Sequence, residues 1–297
     1  MELKQVKERV NYIASPTNLG VIEADTGVVL IDSGVDDSVG KRVLKILEKE
    51  GFEVQAIINT HSHADHCGGN AYIKEETGVE IYAPQIEAGI IQAPYLEPLY
   101  LFSGASPIEE LKNKFLMAKP SQVDNILDGD KERLTIGNTN LKSIPLSGHS
   151  PNQIGIEIED VLFCADSIFS KAVLRKHKIP FYTDIDSQKE TLSFLKNSDY
   201  ESYIPSHGKP IDNIDELVEA NLEVIEEVEE YILEVLVDKQ TTENILKELV
   251  THLKIKLERN QQYFLMKTAT MAYLSSLYNR DKLESSIENN LLLWKRK

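Results

Sequence analysis

The spacing of apolar and polar positions predicts a chain that opens with strands. Val10-Asn11-Tyr12-Ile13 and Gly20-Val21-Ile22-Glu23-Ala24 read as two of them, and Val28-Val29-Leu30-Ile31-Asp32 returns from the turn Asp25-Thr26-Gly27 as the second arm of a hairpin. The period then changes: Val39, Val43, Leu44 and Leu47 share one side of a helix running from Asp36 to Glu50, which Gly51 closes. Val54-Gln55-Ala56-Ile57-Ile58 follows as a buried strand, and Val79-Glu80-Ile81-Tyr82 as a shorter one. From Gln122 the pattern is β-rich again. Arg133 to Ile136 and Leu141 to Leu146 pair around Gly137-Asn138, and Ile154 to Ile158 pairs with Val161 to Ala165. A helix over Ser187 to Lys196 and the short strand Tyr203-Ile204-Pro205 complete this part.

The two halves resemble each other. Each has a hairpin, then a helix, then a strand, and Val-Val-Leu-Ile-Asp-Ser-Gly at 28–34 compares with Val-Leu-Phe-Cys-Ala-Asp-Ser at 161–167. This predicts two stacked βα halves that deliver residues from their strand ends to one shared edge. Two stretches stand outside the pattern. Residues 84–120 are broken by Pro94, Pro98, Gly104 and Pro107 and read as a partly helical insertion, either a lid or a decoration packed on the core. After Pro210 the chain becomes helical: a glutamate-dense helix from Asp215 to Val237, then Thr242 to Leu253, then Asn260 to Tyr278. A final hairpin turns around Glu288-Asn289-Asn290. We therefore expect a larger domain over 1–212 and a small, mostly helical one over 213–297. The second reads either as a winged-helix-like module or as a packing or dimerisation domain, with Trp294 in its core.

Composition narrows the function classes. Asp and Glu (48) outnumber Lys and Arg (32) over 297 residues, a net charge of −16 that repels phosphate backbones. The excess is uneven: from Lys239 onward 11 Lys/Arg face 6 Asp/Glu. No apolar run approaches the roughly 18–20 residues of a membrane span, and Met1-Glu2-Leu3-Lys4-Gln5 opens no signal segment. Cys67 and Cys164 do not make a secreted disulfide framework. The expectation is a soluble, cytoplasmic protein with a small-molecule substrate. Nucleic acid is a partner that only the basic tail favours, and oligomeric state has no sequence signal.

The chemistry concentrates in Thr60-His61-Ser62-His63-Ala64-Asp65-His66, directly after a strand, where open α/β sheets place their ligands. Imidazole and carboxylate suit Zn, Fe or Mn ions. The i, i+2 spacing of His61 and His63 lets an extended loop aim both at one ion, while Asp65 and His66, further around the bend, can address a second. His149 in Ser147-Gly148-His149-Ser150-Pro151, Asp166 at a strand end, and His207 in Ser206-His207-Gly208 are further donors.

These motifs, in this order over about residues 5–212, resemble the metallo-β-lactamase superfamily with its H-x-H-x-D-H signature. The resemblance implies a four-layer αβ/βα sandwich with two divalent ions at its edge, zinc foremost, iron or manganese as alternatives. It implies that His61, His63 and His149 hold one ion, that Asp65, His66 and His207 hold the other, and that Asp166 bridges them. Asp65 would orient a metal-bound hydroxide, and Asp32 would either fix a ligand imidazole or cap its own turn. Zinc β-lactamases of the main clinical group carry Cys where Asp166 stands, so the pattern is more similar to the glyoxalase-II, lactonase and nuclease branches. The function implied is hydrolysis of a small ester-like substrate, a thioester or lactone. The alternatives are an RNA or other nucleic-acid phosphodiesterase and a non-catalytic metal-binding regulatory protein. His177 reads as part of a solvated basic turn with anion binding as its alternative, His252 as an ordinary helix residue, and Cys67 and Cys164 as packed. Tyr95, Tyr100 and Tyr182 are substrate contacts without a spacing argument.

Overall fold

A computed structural model of the chain describes residues 1–128 and 133–297. Strands β1 (Glu2–Lys7), β2 (Val10–Ala14), β3 (Leu19–Ala24) and β4 (Gly27–Ile31) run antiparallel in succession. Helix α1 (Asp37–Lys49) then carries the chain back to β5 (Val54–Ile58), parallel to β4, as a parallel pair requires. The side chain of Asp36 accepts from the N–H groups of Ser38 and Val39 and starts that helix. Helices α2 (Ala64–Cys67) and α3 (Asn70–Thr77) lead to β6 (Glu80–Pro84). The segment that follows contains α4 (Gln85–Gln92), α5 (Leu96–Leu101) and a single 3-10 turn at Glu109–Leu111 before β7 (Asn125–Leu127). These seven strands form one sheet in chain order.

The second sheet holds β8 (Arg133–Ile136), β9 (Thr139–Pro145), β10 (Ile154–Ile158) and β11 (Val161–Ala165), with β12 (Ser202–Pro205) parallel to β11. Helices α6 (Lys171–His177) and α7 (Ile185–Lys196) make the crossover. Side-chain alternation sorts the apolar residues. Val29 and Ile31 of β4 and Val161 and Phe163 of β11 meet between the sheets, with Ile22, Ile58, Ile156 and Ile204. Val28 and Leu30 face the other way, onto Val39, Val43, Leu47 and Ile73, while Leu162 and Cys164 face Leu192 and Leu195. Strands buried on both faces account for the unbroken apolar runs, and the order helix, sheet, sheet, helix is the expected αβ/βα sandwich.

At the ends of the matching strands, Asp32 (φ 62°) and Ala165 (φ 51°) both adopt the left-handed conformation, unusual without glycine. Asp166 is the residue directly after Ala165, so the turn at the end of β11 brings its carboxylate to the sheet edge.

Three local expectations change. β1 is unannounced by its charged, weakly alternating sequence; it is an edge strand, where charged side chains are tolerated. Asp65 and His66 lie on the single-turn helix α2 rather than on a loop bend. Arg175, Lys176 and His177 form the last turn of α6, and the chain turns at Lys178 (φ 61°) instead.

The C-terminal stretch comprises α8 (Asp215–Val235), α9 (Thr242–His252), α10 (Asn260–Asn279) and the hairpin β13 (Leu283–Glu288) and β14 (Leu291–Arg296). Asn289 and Asn290, both left-handed, supply its two-residue turn. One apolar cluster runs from Ile144, Leu162 and Leu195 through Ile225 and Val228 of α8 to Leu249, Tyr273, Leu277 and Trp294. The 213–297 stretch thus extends the outer helical layer of the second sheet and shares its core. Buried Glu229 of α8, held by Lys189 of α7 and by Arg280, ties the same elements electrostatically. No helix among the described residues is long and apolar enough to cross a membrane.

Candidate metal centre

The histidine-rich loop leaves β5 at the sheet edge, and two glycines let it stay close to the neighbouring β4 connection. A Cβ on Gly68 would sit 2.1 Å from the carbonyl oxygen of Val35, and one on Gly69 would sit 2.3 Å from that of Ser33. The facing half brings His149 on a loop whose Gly148 (φ 133°) passes so near α7 that a Cβ would meet Gln188 at 2.5 Å. Asp166 follows β11 directly, and His207 follows β12. Donors from both sheets therefore share one edge.

Their atoms form three overlapping groups, each with its donors within 4.8 Å of one another: His61, His63 and His149; His61, His66 and Asp166; Asp65, His66 and His207. In the first, Nδ1 of His63 lies 3.1 Å from Nε2 of His61 and 2.8 Å from Nε2 of His149. In the others, Nε2 of His66 lies 3.7 Å from Asp65 and 3.6 Å from Asp166, and Nε2 of His207 lies 3.4 Å from Asp65 and 3.3 Å from Asp166. Asp166 also reaches to within 3.5 Å of His149 Nε2, so its carboxylate stands between the two sets.

The hydrogen-bond network assigns the tautomers. His149 Nδ1 donates to the Phe181 carbonyl (2.7 Å), which leaves its Nε2 bare. His66 Nδ1 donates to Asp32 Oδ2 (2.7 Å), and His207 Nδ1 to the Pro16 carbonyl (2.8 Å). The Thr60 hydroxyl gives its proton to Asp32 Oδ2 (2.8 Å), so its oxygen accepts from His61 Nδ1 (3.0 Å). Asp32 therefore orients two rings: His66 directly and His61 through Thr60. It also accepts from the Thr60 N–H at 2.8 Å, so the fixing of an imidazole and the holding of a turn are one arrangement.

This donor set fits divalent cations. Two or more bare nitrogens face each other across about 3 Å with too few protons to bond them. Among the described residues, Nε2 of His66 and Oδ1 of Asp166 are buried without a hydrogen-bond partner, and such groups call for an explanation. The electrostatics divide the same way. Burial, reinforced by neighbouring rings, lowers His61 well below its ordinary value and takes His149 to about 4. Burial likewise takes His63 to about 4, with nearby carboxylates opposing. These three rings are neutral and ready to ligate. Asp166 raises His207 to about 10 despite partial burial. Burial disfavours a charged His66, but Asp65, Asp32 and Asp166 outweigh it and raise that ring well above its usual value. Without a cation, protons held on His66 and His207 offset the charge of the ionised carboxylates of the second set; a metal would displace those protons.

Residues outside the motif hold this edge together. Glu87 of α4 is fully buried and accepts four hydrogen bonds: from the Ser62 N–H (3.0 Å) and hydroxyl (2.7 Å), the Ser150 hydroxyl (2.8 Å) and the Asn152 N–H (2.9 Å). It clamps the loop of His61 and His63 to the loop of His149. The Thr17 hydroxyl donates to Asp65 Oδ2 at 2.8 Å. Glu97 of α5, also buried, lies 3.8 Å from His63 Nε2, and burial raises its carboxyl to about 8. Phe181 packs against both His63 and His149, and Phe169 against His149 and His207. Among the lesser candidates, Cys67 is buried with its thiol donating to the Ser62 carbonyl, and Cys164 joins the apolar core. Tyr182 is also core, Tyr100 donates to Glu97, and His252 stacks on Tyr231.

The family model described as the metallo-beta-lactamase superfamily matches residues 12–207. The chain belongs to the metallo-beta-lactamase superfamily. It is 27% identical over 169 residues to a probable metallo-hydrolase, YqgX, of Bacillus subtilis, covering 57% of this chain and 71% of that protein. It is 29% identical over 145 residues to a hydroxyacylglutathione hydrolase of Erythrobacter litoralis, covering 47% of this chain and 45% of that relative. The chain thus spans less than half the length of that hydrolase. Among solved superfamily structures, a beta-lactamase domain protein from Burkholderia ambifaria covers 99% of this chain and 94% of its own, with a TM-score of 0.79 at 17% identity. A metallo-beta-lactamase family protein from Thermus thermophilus covers 97% of this chain and 98% of its own, with a TM-score of 0.74 at 19% identity. Both likenesses show a fold shared over nearly the whole chain, the C-terminal stretch included.

Proposed function

We propose that this metal-dependent hydrolase of the metallo-beta-lactamase superfamily cleaves a small ester-like substrate, a thioester or a lactone, at a two-metal centre. His61, His63 and His149 would hold one ion, Asp65, His66 and His207 the other, and Asp166 would serve both. The observation that carries this reading is the convergence of bare nitrogens and carboxylate oxygens from both sheets, with buried His66 Nε2 and Asp166 Oδ1 left unpartnered. Bound there, two divalent ions, zinc foremost, would polarise the substrate oxygen and lower the pKa of a water.

The chain's own groups do the rest. Asp32, Thr60 and the carbonyls of Pro16 and Phe181 fix four of the five rings, those of His61, His66, His149 and His207, each with its other nitrogen inward, so these four donors need no reorganisation. Asp65, steadied by Thr17, keeps a carboxylate oxygen at the centre that can orient a water. Phe169 and Phe181 wall the imidazoles with low-dielectric surface, which strengthens every charge interaction inside. Residues 1–212 carry the chemistry, and 213–297 brace it through the shared core. The thioester class is supported by relatives named for a hydroxyacylglutathione, which is a thioester.

The test joins elemental analysis of natively purified protein to turnover assays on a thioester, a lactone and a phosphodiester. About two ions per chain and turnover of the thioester or lactone support the reading. Protein that takes up no divalent metal removes the centre, and turnover confined to the phosphodiester removes the substrate class.

A further inference from the structure

Four of the five imidazoles at the centre have their outward nitrogen held at 2.7–3.0 Å, by Thr60, Asp32, Phe181 and Pro16. His63 is the exception. Its Nδ1 faces the bare nitrogens of His61 and His149, so its proton belongs on Nε2, which has no hydrogen bond among the described residues. The carboxylate oxygen facing that nitrogen is Glu97 Oε1, at 3.8 Å.

Glu97 is itself unexplained as a structural residue. It is 3% exposed, has no cationic partner among the described residues, and leaves Oε2 buried without a hydrogen bond. Tyr100, one turn further along α5, donates to Oε1 and holds the carboxyl in place. A lone buried carboxyl costs stability unless something uses it. A ligand imidazole with an unmet N–H faces Oε1, which accepts from Tyr100 and has a second lone pair to offer, on a carboxyl whose other oxygen is unmet; a carboxylate beside the outer N–H is the pairing that metal-bound histidines ordinarily make.

We propose that Glu97 is a positioning residue that accepts the Nε2 proton of His63, and that through it the 84–120 insertion docks onto the first metal site. This rests on the reading that His63 holds an ion through Nδ1. At 3.8 Å the pair is just beyond direct contact, and a shift of about 1 Å, within side-chain freedom, closes it. Metal at the first site and order in α5 then favour each other. The coupling extends to the tail, because Phe102, directly after α5, packs on Phe264 of α10.

The test compares wild type with Glu97→Leu, Glu97→Gln and Tyr100→Phe. Zinc is competed with a chromophoric chelator, metal content is read by elemental analysis, and the metal-free proteins are melted. Glu97→Leu is expected to weaken one of two bound zinc ions about 10- to 100-fold. Glu97→Gln, which keeps an acceptor oxygen, stays within about threefold, and Tyr100→Phe falls between. The metal-free Glu97→Leu protein melts no lower than wild type, the result a purely structural role would not give. In wild type, zinc also slows proteolysis between Tyr95 and Ala105, and Glu97→Leu removes that protection. Two zinc ions held as tightly by Glu97→Leu as by wild type overturn the proposal while leaving the centre intact. Wild type that binds no zinc overturns the centre itself.

Discussion

Glu87 offers the sharpest test of how the centre is assembled. It is a charged side chain at 0% exposure, and all four of its hydrogen bonds go to the two loops that carry His61, His63 and His149. Glu87→Ala strands four donors. The Ser62 and Ser150 hydroxyls can rotate towards other acceptors, but the backbone N–H groups of Ser62 and Asn152 cannot. At about 1–3 kcal/mol for each stranded donor, the pair costs about 2–6 kcal/mol. Releasing a carboxylate from a buried site offsets part of this, which leaves about 3 kcal/mol. For a chain of this size, at about 2 °C per kcal/mol, the melting temperature should drop about 6 °C. Loosened loops should also weaken zinc binding at the first site by about tenfold or more, as loss of outer hydrogen bonds to ligands does elsewhere. Glu87→Gln separates bonding from packing. Its shape is retained, but its NH2 group meets two of the donors, so most of the loss should remain. Thermal melts and chelator competition on both variants check this. A Glu87→Ala protein that melts within about 1 °C of wild type and holds zinc as tightly would refute the clamp.

Three further outcomes follow from the same geometry. Asp32→Ala removes the acceptor of His66 and, through Thr60, of His61, so zinc affinity should fall about 10- to 100-fold at both sites; a loss confined to one ion would show that Thr60 does not relay the effect. In metal-free protein, His207 is raised from 6.5 to about 10, so the stability it contributes is complete below pH 6.5 and is lost as pH rises towards 10. Melting temperature in excess chelator should therefore decline from about pH 7 to about pH 10, and a flat or rising profile contradicts the assignment. Of the tail's 11 Lys and Arg, Lys239, Lys267, Arg280 and Lys297 are paired with Glu288, Glu243, Glu229 and Asp281 respectively, which lowers the charge left to meet phosphate. Binding to single-stranded RNA at low salt should accordingly be weak, and a steep dependence of log affinity on log salt, lost on truncation at Lys239, would restore the nucleic-acid reading.

What could be read in the chain and what could not divides along a physical line. Ligands to one ion must be particular donor types, and His61, His63, Asp65 and His66 are also neighbours in sequence, so their chemistry is visible as a motif. The strands behind them are visible because burial on both faces demands continuous apolar runs, as at Val28 to Ile31 and Val161 to Ala165. The groups that set ring orientation have no such signature. A backbone carbonyl such as that of Phe181 or Pro16 is present at every position, and only the fold decides which one meets an imidazole. Glu87 and Glu97 lie between these cases. Glu87 shares its helical side with Ala88 and Ile91, and Glu97 shares its side with Pro98 and Leu101, all of them buried. A carboxylate on the side that its apolar neighbours turn inward cannot be a solvated surface charge, and it must find donors or a proton. Glu87 found donors in the ligand loops. Glu97 has the Tyr100 hydroxyl on one oxygen and, beyond it, the N–H of a metal-facing histidine, so the insertion belongs to the centre's construction as well as to its surroundings.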